Sequence, residues 1–318
     1  MSMIQRFCAR ESLAQGDPLA GSAAHAERNL LLSWPRAKWQ RSLRQASDMT
    51  DAVATRLEAI AEAGRRVNLI HRREQPGERH CLYLMPENRR YEVARAELAA
   101  FLDALRRDAP LTRWEASPPA GPLLLCCTHG KKDKCCAKFG YAAYKALDAA
   151  VAAHALPFDV WESTHLGGCR LAASAVVFPA LRKYGRIDTA DVLPLLEAEI
   201  ADRPYLPCYR GDSRLSPVQQ CAQVAALEWL AERSLHPSVS VSTPSDPEAS
   251  RTSLIVKWQT GSDQGAVAVE CIQRALQRFD TCADLDAPAK NTWVWQAVSL
   301  RLLEPHLPLR KKSCPHHA

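Results

Sequence analysis

Apolar and polar positions follow two different periods along the first third of the chain, and this pattern predicts alternating strands and helices. The apolar run NLLLSW at residues 29–34 is typical of a buried strand, whereas DAVATRLEAIAEAG at residues 51–64 has the spacing of an amphipathic helix. Two further predicted strands, RVNLIHRR and HCLYLMP, precede a strongly periodic helix at residues 93–107. The expected order is therefore strand, helix, strand, strand, helix.

A similar order of elements is predicted again after the proline-rich segment at residues 108–122. The pattern gives strands at residues 123–127, 158–164 and 173–180, a short element at KYGRI, and helices at residues 137–156 and 189–201. Strands and helices that alternate at this length predict an α/β sheet with helices packed on its faces. The two halves resemble each other in element order, although no sequence repeat links them.

The last third is less regular. Residues 216–233 predict a capped helix, the polar stretch 236–250 predicts a loop, and SLIVKWQT and AVAVECIQ predict a hairpin. We therefore expect a leader at residues 1–28, an N-terminal α/β domain at 29–115, a second α/β domain at 120–205, a C-terminal α+β extension at 206–310, and a disordered tail at 311–318.

Composition narrows the class of protein. The first residues lack the apolar core of a secretory signal, and no run of about 18 apolar residues predicts a membrane span. We therefore expect a cytoplasmic protein, whose 12 cysteines are better explained by burial, metal binding or redox chemistry than by disulfides. The net charge of +6 comes from scattered basic residues rather than the basic stripe typical of nucleic-acid binding. We expect neither a nucleic-acid nor a membrane partner.

Four residues of metal-ligand type follow two predicted strands. Cys127 ends one strand and Cys136 precedes a helix, so the eight residues between them form a loop that can bring the two sulfurs together. His165 and Cys169 follow the next strand in STHLGGCR, where two glycines allow positive φ and a short turn. Because ligand sites in open α/β sheets form outside the carboxyl ends of strands, we expect one site there.

The spacing leaves more than one kind of site open. A single cysteine is more often a small buried apolar residue than a ligand, but four ligand-type residues in two such loops favour a metal ion or cluster. Zinc accepts three cysteines and one histidine, although structural zinc knuckles usually have about two to four intervening residues. An iron–sulfur cluster also takes thiolates, and histidine can replace cysteine on one iron. The wider spacing between Cys127 and Cys136 slightly favours an iron–sulfur cluster over a single zinc ion.

Three motifs, CTHGKKDKCCAKFG, VWESTHLGGCRLA and LRKYGRI, and the block GDPLAGSAAHAERNLLLSWP closely resemble the sucrase/ferredoxin-like family. The resemblance covers about residues 8–204. It implies an α/β fold in which a thioredoxin-like ferredoxin domain is preceded by a smaller, degenerate thioredoxin-like domain and followed by the α+β extension. It also implies a [2Fe–2S] cluster with Cys127 and Cys136 on one iron and His165 and Cys169 on the other. Some members have a second histidine at the position of Cys169, so here the expected ligands are three cysteines and one histidine.

Neighbouring cysteines make this ligand set ambiguous by one residue. Adjacent strand residues point to opposite faces, so Cys126 and Cys127 cannot both face the cluster, and Cys135 competes with Cys136. Cys127 and Cys136 are preferred because the family motif aligns there. We expect His129 to be exposed, and Cys282, like Cys271, to be structural.

The resulting functional hypothesis is a one-electron carrier or redox sensor that works with redox partner proteins and lacks substrate chemistry of its own. The basic loop that contains Lys131, Lys132 and Lys134 suits an acidic partner. Two alternatives stay open: an oxidoreductase that reduces a small molecule through the cluster, and a zinc-stabilised interaction module. The sequence gives no indication of the oligomeric state.

Overall fold

The structure, a computed structural model, describes residues 5–75, 77–261 and 263–303. The elements in chain order are α1 (Cys8–Ala14), β1 (Asn29–Ser33), α2 (Asp51–Glu62), β2 (Arg66–His71), β3 (Arg79–Met85), β4 (Arg89–Ala94), α3 (Leu98–Arg106), β5 (Leu123–Cys127), α4 (Tyr141–Ala153), β6 (Asp159–Ser163), β7 (Ala175–Phe178), β8 (Arg182–Tyr184), α5 (Val192–Ile200), β9 (Tyr209–Asp212), α6 (Pro217–Ala231), β10 (Ser238–Val241), β11 (Arg251–Thr260), β12 (Asp263–Arg278) and β13 (Lys290–Leu303). The fold is mixed α/β, as predicted.

Nine strands form one continuous sheet in the order β4-β3-β1-β2-β6-β5-β7-β8-β9. In each half the first two strands are parallel and the next two are antiparallel, so β4-β3-β1-β2 and β8-β7-β5-β6 have the same arrangement. The halves meet where β2 and β6 pair antiparallel, with Ile70 opposite Ser163. The division into domains stays a prediction, but no gap in the sheet separates the two halves.

Alternating side chains of the central strands fill different cores. Leu30 and Leu32 pack with α2 and α3, and Leu124 and Cys126 pack with α4 and α5. The intervening residues, such as Leu125, face a third core that also contains side chains from α1 and from the connection between β12 and β13. Because a strand turns successive side chains to opposite faces, the apolar runs of β1 and β5 are buried on both faces.

The structure corrects several predicted boundaries. The helix predicted from residue 93 begins at Leu98, because residues 89–94 pair with β3 as β4. The segment 1–28, predicted as a loose leader, contains α1, whose residues Cys8 and Ala9 are buried in the core. The polar stretch 236–250 contains β10, and the sequence pattern had not indicated β13.

The C-terminal part forms a second sheet. The hairpin of β11 and β12 is confirmed, and it belongs to a four-stranded antiparallel sheet in the order β10-β11-β12-β13, against which α6 packs. The predicted tail at residues 311–318 lies outside the described residues. Within those residues, no helix has both the length and the apolar character needed to span a bilayer.

Candidate metal centre

The carboxyl ends of β5 and β6 bring the two predicted loops together. The strands are parallel with Cys127 opposite Ser163, so the loop after each begins at the same edge of the sheet. Cys136 returns to this edge in a single π-helical turn, Cys136–Gly140, that leads into α4. Gly140 lies against the strand so tightly that a Cβ atom would stand 1.9 Å from the Cys127 carbonyl oxygen. Glycine is therefore required for the turn to approach the strand.

Four side chains then form a closed ring, which we call the thiol–imidazole ring: Cys127, Cys136, Cys169 and His165. The Sγ atoms of Cys127 and Cys136 are 3.4 Å apart, and Cys169 Sγ is 3.4 Å from His165 Nδ1. Cys136 also lies close enough to Cys169, and His165 to Cys127, for each pair to shift the pKa values of its members, which completes the ring. One ligand atom each from Cys127, Cys136 and His165 lies within 4.8 Å of the other two. All four residues named from the sequence are thus brought together.

The second loop adopts the backbone expected from its glycines. Gly167 and Gly168 have φ values of 92° and 77°, which confirms the prediction of positive φ. This left-handed conformation turns the chain between His165 and Cys169, so that both side chains reach the ring. The three sulfurs are buried, whereas His165 is only partly buried and is the ring member nearest to solvent.

The two neighbouring cysteines point elsewhere. The Cys126 thiol donates to the Gly140 carbonyl oxygen at 3.3 Å and packs in the α4 core on the opposite face of the sheet. Cys135 faces Cys8 and Cys282, with Sγ–Sγ distances of 3.5 and 3.3 Å. The choice of Cys127 and Cys136 that the family motif suggested is therefore the one that faces His165.

His129 is buried, which corrects the expectation of an exposed loop histidine. Its Nε2 lies 2.6 Å from the Gln40 carbonyl oxygen, and its Nδ1 accepts a hydrogen bond from the His165 backbone N–H at 3.2 Å. This pair of contacts requires a proton on Nε2 and none on Nδ1. Burial lowers the pKa of His129, in agreement with a neutral ring that positions His165.

Basic side chains from elsewhere in the chain hold the backbone of the second loop. Arg66 donates to the His165 carbonyl oxygen at 2.6 Å, Lys183 to that of Leu166 at 2.7 Å, and Arg210 to that of Gly167 at 3.3 Å. Three successive carbonyl groups therefore each accept a hydrogen bond from a basic side chain. These long-range supports have no local sequence signal, because their donors lie 17 to 99 residues from their acceptors.

The ring favours thiolates at Cys127 and Cys169 beside a positive charge, whereas the hydrogen bonding of Cys136 with these two cysteines raises the pKa of Cys136 well above its usual range. The hydrogen bond between Cys127 and Cys136 lowers the pKa of Cys127 well below its usual range, although burial opposes this effect. Burial by itself lowers the pKa of His165, but the Cys127 and Cys169 thiolates outweigh it and raise that pKa to about 9. Because thiolates are the form that binds metal, this electrostatic arrangement suits a cationic group.

The fold now permits comparison with known proteins. The family model described as sucrase/ferredoxin-like matches residues 19–211, which is more than half of the chain. The chain belongs to the sucrase/ferredoxin-like family. The family region includes both halves of the nine-stranded sheet and all four members of the thiol–imidazole ring. No curated protein matches the chain.

Solved structures similar to this member of the sucrase/ferredoxin-like family include the thioredoxin-like [2Fe–2S] ferredoxin from Aquifex aeolicus. One structure of it is 13% identical, with a TM-score of 0.26, and covers 28% of this chain and 89% of that chain. A structure of the wild-type protein is 14% identical, with a TM-score of 0.25, and covers 28% and 95%. A cysteine-to-serine variant is 13% identical, with a TM-score of 0.26, and covers 28% and 96%.

Proposed function

We propose that the thiol–imidazole ring holds a [2Fe–2S] cluster, with Cys127 and Cys136 on one iron and His165 and Cys169 on the other, and that the protein transfers single electrons. The observation that carries this proposal is the ring itself, three thiols and one imidazole that converge from two strand-end loops of a sucrase/ferredoxin-like chain. Such a cluster accepts and releases one electron.

The donor set fits this group chemically. Thiolates are the usual ligands of iron–sulfur clusters, and histidine can replace cysteine. The sulfurs are buried among apolar side chains, which excludes water from the ring. The Arg66, Lys183 and Arg210 contacts hold the His165–Gly167 backbone, so that the imidazole keeps its direction.

The ligand set predicts where the reduction potential lies. Three thiolates and a neutral imidazole carry one negative charge fewer than four thiolates, which favours uptake of an electron. We expect a potential between that of plant-type ferredoxins, about −400 mV, and the Rieske range of about −150 to +300 mV. His165, as the ring member nearest to solvent, marks the edge at which a partner protein would approach.

The experiment is iron and sulfide analysis of anaerobically purified protein, followed by an EPR spectrum after dithionite reduction. We expect about two irons and two sulfides per chain and an EPR signal that appears only after reduction. Cys127→Ser and Cys136→Ser should lose both, whereas Cys126→Ala, one residue away on the opposite face, should keep both. Colourless protein with zinc in the ring would contradict the proposal and favour a zinc-stabilised module.

A small-molecule reductase is the second candidate, because a cleft opens beside the first loop. The cleft has a volume of about 320 Å³ and is lined by Arg36, Trp39, His129 and Tyr141, among others. Lys131 and Arg36, whose guanidinium also pairs with Glu162 at 2.7 Å, are basic side chains that suit an anionic acceptor. Turnover of small anionic acceptors that falls in Arg36→Gln, while electron transfer to proteins is unchanged, would favour this candidate.

A further inference from the structure

A second group of thiols lies in the same core as the ring but does not belong to it. The Sγ atoms of Cys8, Cys135 and Cys282 form a triangle with sides of 3.5, 3.3 and 3.6 Å. All three cysteines are free and buried. They come from α1, from the loop before Cys136 and from the connection between β12 and β13, so only the tertiary fold brings them together. Cys282, expected to be structural and without a partner, therefore has two.

Asp133 adds a carboxylate to this triangle. Both of its Oδ atoms lie 3.9 Å from Cys8 Sγ, and the side chain is buried. Among the residues that the structure describes, no basic side chain forms an ion pair with it. Burial of a carboxylate without a cation is costly. A bound cation would remove this cost.

Backbone N–H groups point at the acceptor atoms of the group. Cys8 N donates to Cys282 Sγ and Ala9 N to Cys135 Sγ, each at 3.5 Å. The N–H groups of Cys135 and Cys282 donate to the two Asp133 oxygens at 2.7 and 2.8 Å. Donors aimed at sulfur and carboxylate stabilise the negatively charged forms, which are the forms that bind a metal. Each carboxylate oxygen has a further lone pair for a metal.

We propose that Cys8, Cys135 and Cys282, with Asp133 as the fourth ligand, bind one zinc ion. Zinc takes thiolate sulfur at about 2.3 Å and carboxylate oxygen at about 2.0 Å, and tetrahedral angles then place sulfurs about 3.8 Å apart and sulfur and oxygen about 3.5 Å apart. The observed separations of 3.3 to 3.6 Å and of 3.9 Å lie within about 0.5 Å of these values. All four ligands come from the protein, which is typical of a structural zinc site.

The site would join three parts of the chain that are distant in sequence. It fastens α1 and the β12–β13 connection to the loop that carries Cys136, because Cys135 and Cys136 are neighbours. Two of its ligands, Cys8 and Cys282, lie outside residues 19–211, the region that the family model matches. The proposed zinc site therefore joins residues inside the matched region to residues on either side of it.

The test uses the full-length protein purified anaerobically from cells supplied with iron and zinc. We expect one zinc per chain, and zinc-edge X-ray absorption should show three sulfurs and one oxygen around it. Cys282→Ser should lose the zinc and keep the iron and sulfide, whereas Cys271→Ala, a buried cysteine on β12, should keep all three. Absence of zinc, or zinc that Cys282→Ser retains, would overturn the proposal, as would a disulfide within the triangle detected by mass spectrometry.

A second variant covers the case in which Cys282→Ser does not fold. Asp133→Asn keeps the volume of the side chain and removes its charge, and it should speed zinc transfer to a chelator by about tenfold or more; an unchanged transfer rate would reject Asp133 as a ligand. These measurements distinguish failure of the zinc proposal from failure of the proposed [2Fe–2S] cluster. Zinc that disappears in Cys127→Ser rather than in Cys282→Ser would sit in the thiol–imidazole ring and overturn both, whereas iron without zinc would overturn this one alone.

Discussion

The two halves of the nine-stranded sheet have the same strand arrangement, but the residues at the ends of their equivalent strands differ in chemistry. In the second half, β5 ends at Cys127 and the loop after it returns with Cys136. In the first half, the equivalent strand β1 ends at Ser33, and the chain continues through Trp34 and Pro35. The shared topology supplies a sheet edge where two loops meet, and only the residues placed there decide whether that edge can bind a metal.

The first half instead supports the ring of the second. Arg66 and Asn68 on β2 contact the His165 backbone, and the carbonyl oxygens of Gln40 and Leu43 accept from His129 and Thr164. The Arg66 and Asn68 contacts follow from the antiparallel pairing of β2 with β6, which lays the amino-terminal part of β2 beside the second loop. The first half of the sheet therefore supports the site that the second half carries.

The largest expected effect is on the free energy of unfolding, and it tests whether the two halves of the sheet unfold together. Leu32 is fully buried in the core of the first half, so Leu32→Ala should lower the free energy of unfolding by about 2–5 kcal/mol. Because the sheet is continuous, circular dichroism and the reactivity of the ring thiols toward maleimide should report one transition at the same denaturant concentration.

Leu302 on β13 is exposed, so Leu302→Ala is the matched control and should change stability by less than about 0.5 kcal/mol. Two separate transitions in Leu32→Ala, with the ring thiols protected through the first, would show that the halves fold independently.

The next largest expected effect is on stability, through the side-chain amide of Asn68 on β2, which hydrogen-bonds to the loop after β6. Asn68 Nδ2 donates to the Thr164 hydroxyl at 3.0 Å and lies 3.3 Å from the His165 carbonyl oxygen. Asn68→Ala removes both hydrogen bonds, while the Leu69 N–H still donates to the Thr164 hydroxyl and Arg66 to the His165 carbonyl oxygen. The variant should cost about 0.5–1.5 kcal/mol of stability for each hydrogen bond lost, measured by denaturant unfolding.

In the first half, Gln75 donates to Ser33 Oγ at 2.7 Å at the edge of the sheet. Gln75→Ala should cost less than Asn68→Ala, because Gln75 is only partly buried. An equal cost for the two variants would mean that Asn68 gives the second loop no special support.

A smaller effect is expected on the reduction potential of the proposed [2Fe–2S] cluster. Arg66 is half-buried and contacts the His165 carbonyl oxygen, and an arginine keeps its charge even where desolvation lowers its pKa. Arg66→Gln removes a positive charge that favours the reduced state, so spectroelectrochemical titration should give a potential more negative by tens of millivolts.

Arg72 provides the control, because it follows β2 and pairs with Asp159 at 2.9 Å, and its side chain is 41% exposed. Solvent and the carboxylate screen its charge, so Arg72→Gln should shift the potential less. A larger shift in Arg72→Gln than in Arg66→Gln would refute the assignment of the ring as the redox site.

The smallest structural effect is expected in the basic loop. Lys131 and Lys134 are exposed and Lys132 is partly exposed, so their combined replacement by alanine should change stability by no more than about 0.5 kcal/mol per position. Electron transfer to an acidic redox protein should nevertheless slow at low ionic strength, and its dependence on salt should weaken. Stopped-flow measurements over a range of salt concentrations test this expectation.

Lys38 is an exposed lysine in the corresponding region of the first half. Lys38→Ala should leave both the rate and its salt dependence nearly unchanged. A loss of rate in Lys38→Ala as large as that in the triple variant would indicate a general charge effect rather than docking at the basic loop.

Local patterns were sufficient for much of the fold. The strand at residues 123–127 was predicted with the bounds that the structure has, because five consecutive apolar residues are buried on both faces. The helix predicted from residue 93 was placed too early, because the alternating side chains of β4 merge with the helical pattern that follows. β13 was missed, since more than half of its side chains are exposed and polar residues interrupt its apolar positions.

What the sequence by itself determined is local in range: the order of strands and helices, the two glycines that turn the second loop, and the strand-end positions of Cys127 and His165. The tertiary structure alone decided that Cys126 and Cys135 turn away from the ring, that the halves share one sheet, and that Cys8 and Cys282 meet Asp133. The physical reason is distance along the chain. Periodicity reports the face on which a side chain lies within a few residues, whereas contacts between residues more than 100 positions apart depend on how whole elements pack.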